Sequence, residues 1–103
     1  LDQFNIKDTN CFKKYFDYDK IENEIYIRNR RNGDRFTPIG MSGSKKLKDF
    51  FIDVKIPRDK REITPLIIDG DNILWVVGLR VSEKYKVSTD TKNILTLEYI
   101  KER

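Results

Sequence analysis

Ten arginine and lysine residues in the middle of the chain are the side chains best suited to bind a ligand. A guanidinium group forms paired hydrogen bonds with a phosphate, and an ammonium group supplies a compact positive charge. These side chains therefore predict the binding of a phosphate-rich partner rather than catalysis. The predicted binding residues are Arg28, Arg30, Arg31, Arg35, Lys45, Lys46, Lys48, Lys55, Arg58 and Arg61. Two of them have a structural alternative, because Arg28 could pair with an acidic group across a sheet and Arg35 could stabilise its own loop beside Asp34.

The positive charge is concentrated in one band of the sequence. The whole chain has 103 residues and a formal net charge of +4. Residues 28–61 contain eleven basic and four acidic side chains, a net charge of +7, so the remainder carries −3. Such a block is typical of proteins that bind nucleic acid or another anionic surface. The alternative is a solvated basic face without a partner.

The composition excludes several kinds of site. The chain has no histidine, which removes the most common general base and the most common zinc ligand. Its single cysteine, Cys11, cannot close an internal disulfide and is compatible with a reducing cytoplasm, the location we expect. No apolar run approaches the roughly 20 residues that span a bilayer. We therefore expect no catalytic residue, metal or cofactor in this chain.

The glycine-rich segment 40–46 superficially resembles a phosphate-binding loop. The pattern Gly-x4-Gly-Lys-Ser/Thr is absent, because Gly43 precedes Ser44 rather than a Lys-Ser pair. Nucleotide binding is therefore not predicted there. Backbone N–H groups before a helix could still bind a phosphate of RNA.

One amphipathic helix is predicted directly after this loop. Leu47, Phe50, Phe51 and Val54 have the spacing of a single apolar helix face, and Ser44 is the expected N-cap. The same helical spacing groups the basic residues of the segment on another side, away from the acidic residues. These basic residues are Lys45, Lys48 and Lys55, and the acidic ones are Asp49 and Asp53.

The remaining elements are short strands, except for a second short helix after Pro57. Asn32-Gly33 predicts a tight turn, and Asp69 and Asp71 around Gly70 predict another. Strands cluster at both ends of the chain, which indicates an α+β fold: a small mixed β-sandwich or sheet with one amphipathic helix and a second short helix. The predicted strands are 15–18, 24–30, 66–68, 73–77, 85–87 and 94–100.

Three aromatic residues could either pack in the core or stack on a base of a bound nucleic acid. Trp75 lies inside an apolar run, so that a core position is expected. Tyr26 and Tyr85 alternate with apolar neighbours and could either stack on a partner or face solvent.

Longer segments resemble the C-terminal domain of tRNA(Ile)-lysidine synthetase over about residues 14–100. The resemblance lies in IRNRRNGDRF at 27–36 and GSKKLKDFFID at 43–53, within which GDRF at 33–36 and KKLKDFF at 45–51 are the specific segments. It is supported by YFDYD at 15–19, ILWVVG at 73–78 and YKV at 85–87. Residues 1–12 are polar with little periodicity and predict a linker that precedes a domain at 13–103. The resemblance implies a fold similar to a domain of the phenylalanyl-tRNA synthetase β-subunit. The chain begins with Leu1 rather than methionine, so that we expect a fragment of a larger protein.

The resemblance also implies an accessory role in a ligase. The family converts the first anticodon cytidine of an isoleucine tRNA to lysidine, with ATP and lysine as substrates of its catalytic domain. The Ser-Gly-Gly-x-Asp-Ser loop of that domain is absent here, so that this chain is not expected to catalyse the reaction. The resemblance implies instead that it binds the acceptor-stem side of tRNA(Ile). Its expected partners are tRNA(Ile) and the catalytic domain of the same polypeptide. The alternative is a structural, interdomain or dimerisation module with a solvated basic face.

Overall fold

Antiparallel strands dominate the structure, a computed structural model that describes residues 11–101. Within that range no helix is long and apolar enough to cross a membrane. Short 3₁₀ helices lie at Tyr18–Lys20 and Glu83–Tyr85. The strands and α-helices in chain order are β1 (Cys11–Asp17), β2 (Ile25–Arg28), β3 (Arg35–Phe36), β4 (Lys45–Lys46), α1 (Leu47–Asp53), α2 (Arg58–Arg61), β5 (Leu66–Asp69), β6 (Asn72–Val76), β7 (Arg80–Val81) and β8 (Ile94–Ile100).

Three antiparallel sheets form among the described residues. The largest has the strand order β2-β5-β6-β7, and β1 pairs with β8 along seven residues to form a second sheet. Strands β3 and β4 form a third, short pair. Pairing of β5 with β6 confirms the hairpin that was predicted around Gly70. The predicted α+β class is confirmed, because the strands are antiparallel and the two helices are short and close together in the chain.

The four-stranded sheet separates two hydrophobic clusters. On one side it packs against α1, whose Phe50 and Phe51 lie with Leu66 and Ile68 of β5. On the other side it packs against the β1–β8 pair. Ile67 opposes Trp75 while Ile68 opposes Ile73, which makes Leu74 the extra residue of a β-bulge. The bulge places Leu74 and Trp75 together in the cluster under the β1–β8 pair.

Helix α1 begins three residues later than Ser44, so the predicted N-cap is wrong. Lys45 and Lys46 pair with β3, and this pairing uses the backbone groups that a helix start at Ser44 would need. The residue before the helix, Lys46, makes no side-chain capping bond. The Leu47 N–H instead donates to the carbonyl oxygen of Asp34 at 2.9 Å. The apolar face of the helix is confirmed, with Leu47, Phe50 and Phe51 buried.

The C-terminus of α1 is a Schellman motif. Ile56 N–H donates to the Phe51 carbonyl at 2.9 Å, and Lys55 N–H donates to the Ile52 carbonyl at 3.0 Å. The motif requires a left-handed residue, and Lys55 supplies it with a φ of 61°. Glycine usually occupies this position because it has no Cβ. Lys55 therefore carries backbone strain.

Lys55→Gly should raise the free energy of unfolding by about 0.5–1 kcal/mol, because glycine adopts a positive φ without steric cost. Urea denaturation followed by circular dichroism measures the change. Lys55→Ala is the matched control: it removes the ammonium group and keeps the strained φ, so that its stability should equal that of the unaltered chain. Equal gains from both variants would contradict the strain argument.

The predicted strand at 85–87 is wrong. Tyr85 ends a 3₁₀ helix whose N-cap, Ser82, accepts a hydrogen bond from the Lys84 N–H at 3.2 Å. Strand β8 pairs with β1 rather than with this segment. The chain forms a 3₁₀ helix here because the Tyr85 ring is fully buried and its hydroxyl donates a hydrogen bond to Asp69.

The start of the described chain also differs from the sequence prediction. Strand β1 extends back to Cys11, two residues into the predicted linker 1–12, and ends at Asp17. Tyr18, predicted as strand, begins a 3₁₀ helix capped by the Asp17 carboxylate. The rest of the predicted linker, residues 1–10, lies outside the described residues.

Candidate nucleic-acid interface

Six of the ten predicted binding residues lie together on the α1 side of the four-stranded sheet. They come from three segments: the loop between β2 and β3, the junction of β4 with α1, and helix α2. They line two pockets of about 160 and 270 Å³ that share Arg30 and Lys48. We call this surface the basic groove, and its cationic residues are Arg30, Arg31, Lys46, Lys48, Arg58 and Arg61.

Few of these cations are neutralised by a neighbour. Arg30 Nε lies 2.9 Å from Glu62 Oε2, the acidic group of the larger pocket. Arg61 Nε donates to the backbone carbonyl of Ile56 at 2.8 Å, a neutral partner that leaves its charge intact. Within residues 11–101, Lys48 and Arg58 form no ion pair. The groove therefore presents a net positive charge to solvent.

The turn that carries Arg30 and Arg31 is built around Asp34. The two Asp34 carboxylate oxygens accept bonds from the Arg28 guanidinium at 3.0 Å each, and Oδ2 also accepts the Arg31 N–H at 2.8 Å. Gly33 adopts a φ of 89°, which confirms the predicted tight turn. Partial burial alone would raise the pKa of Asp34, but hydrogen bonds from Arg28 and Arg31 hold that pKa below its ordinary value.

Arg28 is largely buried and stabilises the turn after β2 instead of facing solvent. Its side chain is 13% exposed, and the hydrogen bond to Asp34 raises the pKa of its guanidinium, although burial opposes this shift. The structural alternative for Arg28 is thereby favoured. The acidic partner lies in the following turn, at the end of β2, rather than across the sheet.

Three further predicted residues lie outside the basic groove. Arg35 Nε donates to Ser44 Oγ at 2.8 Å, which joins the two ends of the loop between β3 and β4. Lys45 forms an ion pair with Asp53. The expected separation of lysines from acids is therefore wrong for Lys45, because it lies on β4, where helical spacing does not apply. Lys55, at the end of α1, lines neither pocket of the groove.

The aromatic residues divide between core and surface. Trp75 is buried as expected, with 1% of its surface exposed. Tyr85 is fully buried and cannot stack on a partner, whereas Tyr26 is 43% exposed and donates from its hydroxyl to the Gly70 carbonyl at 3.2 Å. In the described part of the chain, no three His, Cys, Asp or Glu residues are placed to hold a metal ion.

The sequence did not identify two acidic residues that shape this surface. Asp34 holds the β2–β3 turn in place, and Glu62 enters the larger pocket from the end of α2. The arginine-rich segment around Asp34 gave a usable signal, because an acid six residues after Arg28 can fold back across a turn. The pairing of Arg30 with Glu62 joins residues 32 apart, which no local pattern indicates.

Sequence comparison finds a matching domain family and relatives that are named as tRNA(Ile)-lysidine synthases. A family profile described as the TilS substrate C-terminal domain matches residues 25–99. The tRNA(Ile)-lysidine synthase of Caldanaerobacter subterraneus subsp. tengcongensis is 53% identical over 102 residues, which are 99% of this chain and 21% of that protein. That of Clostridium tetani is 53% identical over 94 residues, 91% of this chain and 20% of that protein. The chain spans about a fifth of the length of these relatives.

Structural comparison gives the same assignment. A crystal structure of a TILS C-terminal domain matches with a TM-score of 0.70 and 34% identity, over 88% of this chain and 72% of that one. An N-terminal fragment of the phenylalanyl-tRNA synthetase β-subunit from Pyrococcus horikoshii matches with a TM-score of 0.69 and 26% identity, over 92% of this chain and 29% of that one. The expected likeness to that synthetase is confirmed. Because the family profile covers most of the chain and the fold agrees, the chain belongs to the TilS substrate C-terminal domain family.

Proposed function

We propose that the basic groove binds the acceptor-stem side of tRNA(Ile), as an accessory module of a tRNA(Ile)-lysidine synthase. The observation that carries this proposal is the convergence of six cations from three segments on two adjoining pockets. The relatives named as tRNA(Ile)-lysidine synthases support the choice of tRNA(Ile) as the RNA. The larger enzyme would convert the first anticodon cytidine to lysidine in the cytoplasm, with ATP and lysine bound outside this chain.

The clustered cations of the groove suit a double-stranded RNA backbone. An A-form stem hides its base edges in a deep major groove and exposes phosphates and 2′-hydroxyl groups. Cations on two adjoining pockets can bind successive phosphates of such a stem, which positions the tRNA without sequence readout. Lys48 is central to this arrangement because it lines both pockets.

The individual cations are expected to contribute unequally. Lys48 and Arg58, unpaired within the described range, can bind phosphate without losing another partner. Arg30 must first exchange its bond to Glu62, so that its net contribution is smaller. Arg28, Arg35 and Lys45 already have partners and are expected to support the surface rather than bind RNA.

Two RNA fragments test the proposal. A minihelix made of the acceptor stem and T arm of tRNA(Ile) should bind the chain more tightly than the anticodon stem-loop of the same tRNA. Binding of the minihelix should weaken with salt, with a log–log slope between about −2.7 and −4.5 if three to five phosphates are neutralised. Fluorescence anisotropy at several salt concentrations measures both. Equal affinity for the two fragments would contradict the acceptor-stem assignment, and a slope near zero would favour a solvated basic face.

A further inference from the structure

A second surface, on the other side of the four-stranded sheet, has the opposite chemical character. An apolar pocket of about 210 Å³ lies between β2 and β8, above the bulged centre of the sheet. Its lining includes no lysine or arginine. We call it the apolar groove, and its apolar residues are Ile25, Ile27, Ile67, Trp75, Leu97 and Tyr99.

The β1–β8 pair covers this part of the sheet incompletely. Ile27 is 52% exposed and Tyr26 is 43% exposed, although both lie on a strand of the central sheet. Ile67, Leu97 and Tyr99 are also only partly buried against the cluster beneath them. Exposed apolar groups in a concave site are typical of a protein interaction surface, whereas single exposed residues are ordinary.

Both strands beside the apolar groove are the outer strands of their sheets. Among the described strands, β2 pairs only with β5, and β8 pairs only with β1. An outer strand presents unpaired N–H and C=O groups, to which an extended segment can add by backbone hydrogen bonds. The groove thus offers an apolar floor and polar backbone edges, the combination that an extended polypeptide needs.

Among the described residues, Trp75 leaves one buried polar group without a hydrogen-bond partner beneath this surface. The indole ring lines the apolar groove, and its Nε1–H is buried without a hydrogen-bond acceptor among residues 11–101. A buried donor without a partner costs about 1–3 kcal/mol.

The charge of the groove distinguishes polypeptide from nucleic acid. No described lysine or arginine lines the groove, so that a phosphate would find no cationic partner there. The chain also spans only about a fifth of its curated relatives, which leaves most of such a polypeptide outside this domain. We propose that the apolar groove docks an extended, apolar segment of the remaining part of the same polypeptide. This proposal does not depend on RNA binding by the basic groove.

Photo-crosslinking in the full-length polypeptide tests the proposal directly. A photoreactive amino acid at position 27 should form an intramolecular crosslink to a segment outside this domain, which mass spectrometry identifies. The matched control is position 94, because Ile94 is similarly exposed at 56% but does not line the groove. The control position should yield little or no such crosslink. A crosslink to a second copy, a crosslink to RNA, or none at position 27 would each overturn the proposal.

Hydrogen exchange provides a second, independent readout. In the full-length polypeptide, Ile27→Asp should accelerate exchange of β2 and β8 amides about tenfold, because it places a charge against the docked segment. Ile63→Asp should leave this exchange unchanged, because Ile63 is 60% exposed, lies outside both strands and does not line the groove. The same Ile27→Asp substitution in the 103-residue chain should have less than a twofold effect, because Ile27 faces solvent there. Equal acceleration in the long and short chains would overturn the proposal.

Discussion

Asp69→Ala should lower the free energy of unfolding by about 3–5 kcal/mol, the largest stability loss that we expect from one substitution in this domain. Asp69 is fully buried at the end of β5. Its carboxylate accepts the Tyr85 hydroxyl at 2.8 Å and the backbone N–H groups of Glu22 and Asn23 at 3.1 and 2.7 Å. Removal leaves three donors without an acceptor, and each costs about 1–3 kcal/mol when it stays buried.

Two further variants separate the contribution of the carboxylate from general sensitivity of this region. Tyr85→Phe removes one donor together with its hydrogen bond, so that a loss of about 1–2 kcal/mol is expected. Asp71 lies two residues from Asp69 and is exposed. Asp71→Ala should therefore change the free energy of unfolding by less than about 0.5 kcal/mol. Urea denaturation of the three variants measures these differences. A loss below about 1 kcal/mol for Asp69→Ala would show that the buried network is not stabilising.

The same carboxylate makes stability depend on pH. Burial alone would raise the pKa of Asp69, but hydrogen bonds from Tyr85, Glu22 and Asn23 outweigh it and hold the pKa below the ordinary value of 3.8. The pKa of Asp34 is also lowered. A carboxylate with a lowered pKa stabilises the fold above its unfolded-state pKa, and this contribution is lost as pH falls through its folded-state pKa. The unfolding midpoint in urea should therefore decrease below about pH 4.

The sequence predicted the fold where a local pattern decides it. The spacing of Leu47, Phe50 and Phe51 produces the buried face of α1, and Asn32-Gly33 produces the turn after β2. Local patterns failed where a distant contact decides. Asp69 beside Gly70 has the sequence of an exposed turn, yet it is buried because Glu22, Asn23 and Tyr85 donate to it from elsewhere in the chain. The 3₁₀ helix that ends at Tyr85 also depends on a distant contact, the hydrogen bond to Asp69.

The candidate site shows a similar division. The band of positive charge is visible in composition, but composition does not reveal which cations are already paired inside the fold. Arg28 pairs with Asp34 and Lys45 pairs with Asp53. Helical spacing assigned Lys45 to the wrong element, because the short β3–β4 pair forms from residues ten or so apart that have no strand-like alternation. Sequence therefore identified the segment of the surface, and tertiary contacts select the residues within it.

Reversal of two charges in the basic groove should give the largest effect on RNA binding. The double variant Lys48→Glu and Arg58→Glu should weaken binding of tRNA(Ile) by about 30- to 100-fold and reduce the magnitude of the log–log salt slope by about two. Lys48 lines both pockets of the groove, and Arg58 lines the larger one. Filter binding or fluorescence anisotropy at two salt concentrations measures both quantities.

A charge-matched control distinguishes local contacts from net charge. Lys14→Glu with Lys92→Glu makes the same change in formal charge, but both lysines are exposed and line neither pocket of the groove. If long-range attraction alone held the RNA, both double variants would weaken binding equally, because they alter the total charge by the same amount. A much smaller loss in the control, with a nearly unchanged salt slope, would assign the phosphate contacts to the groove. Because Lys48 and Arg58 form no ion pair within residues 11–101, their reversal should change the free energy of unfolding by less than about 0.5 kcal/mol, which separates lost binding from lost folding.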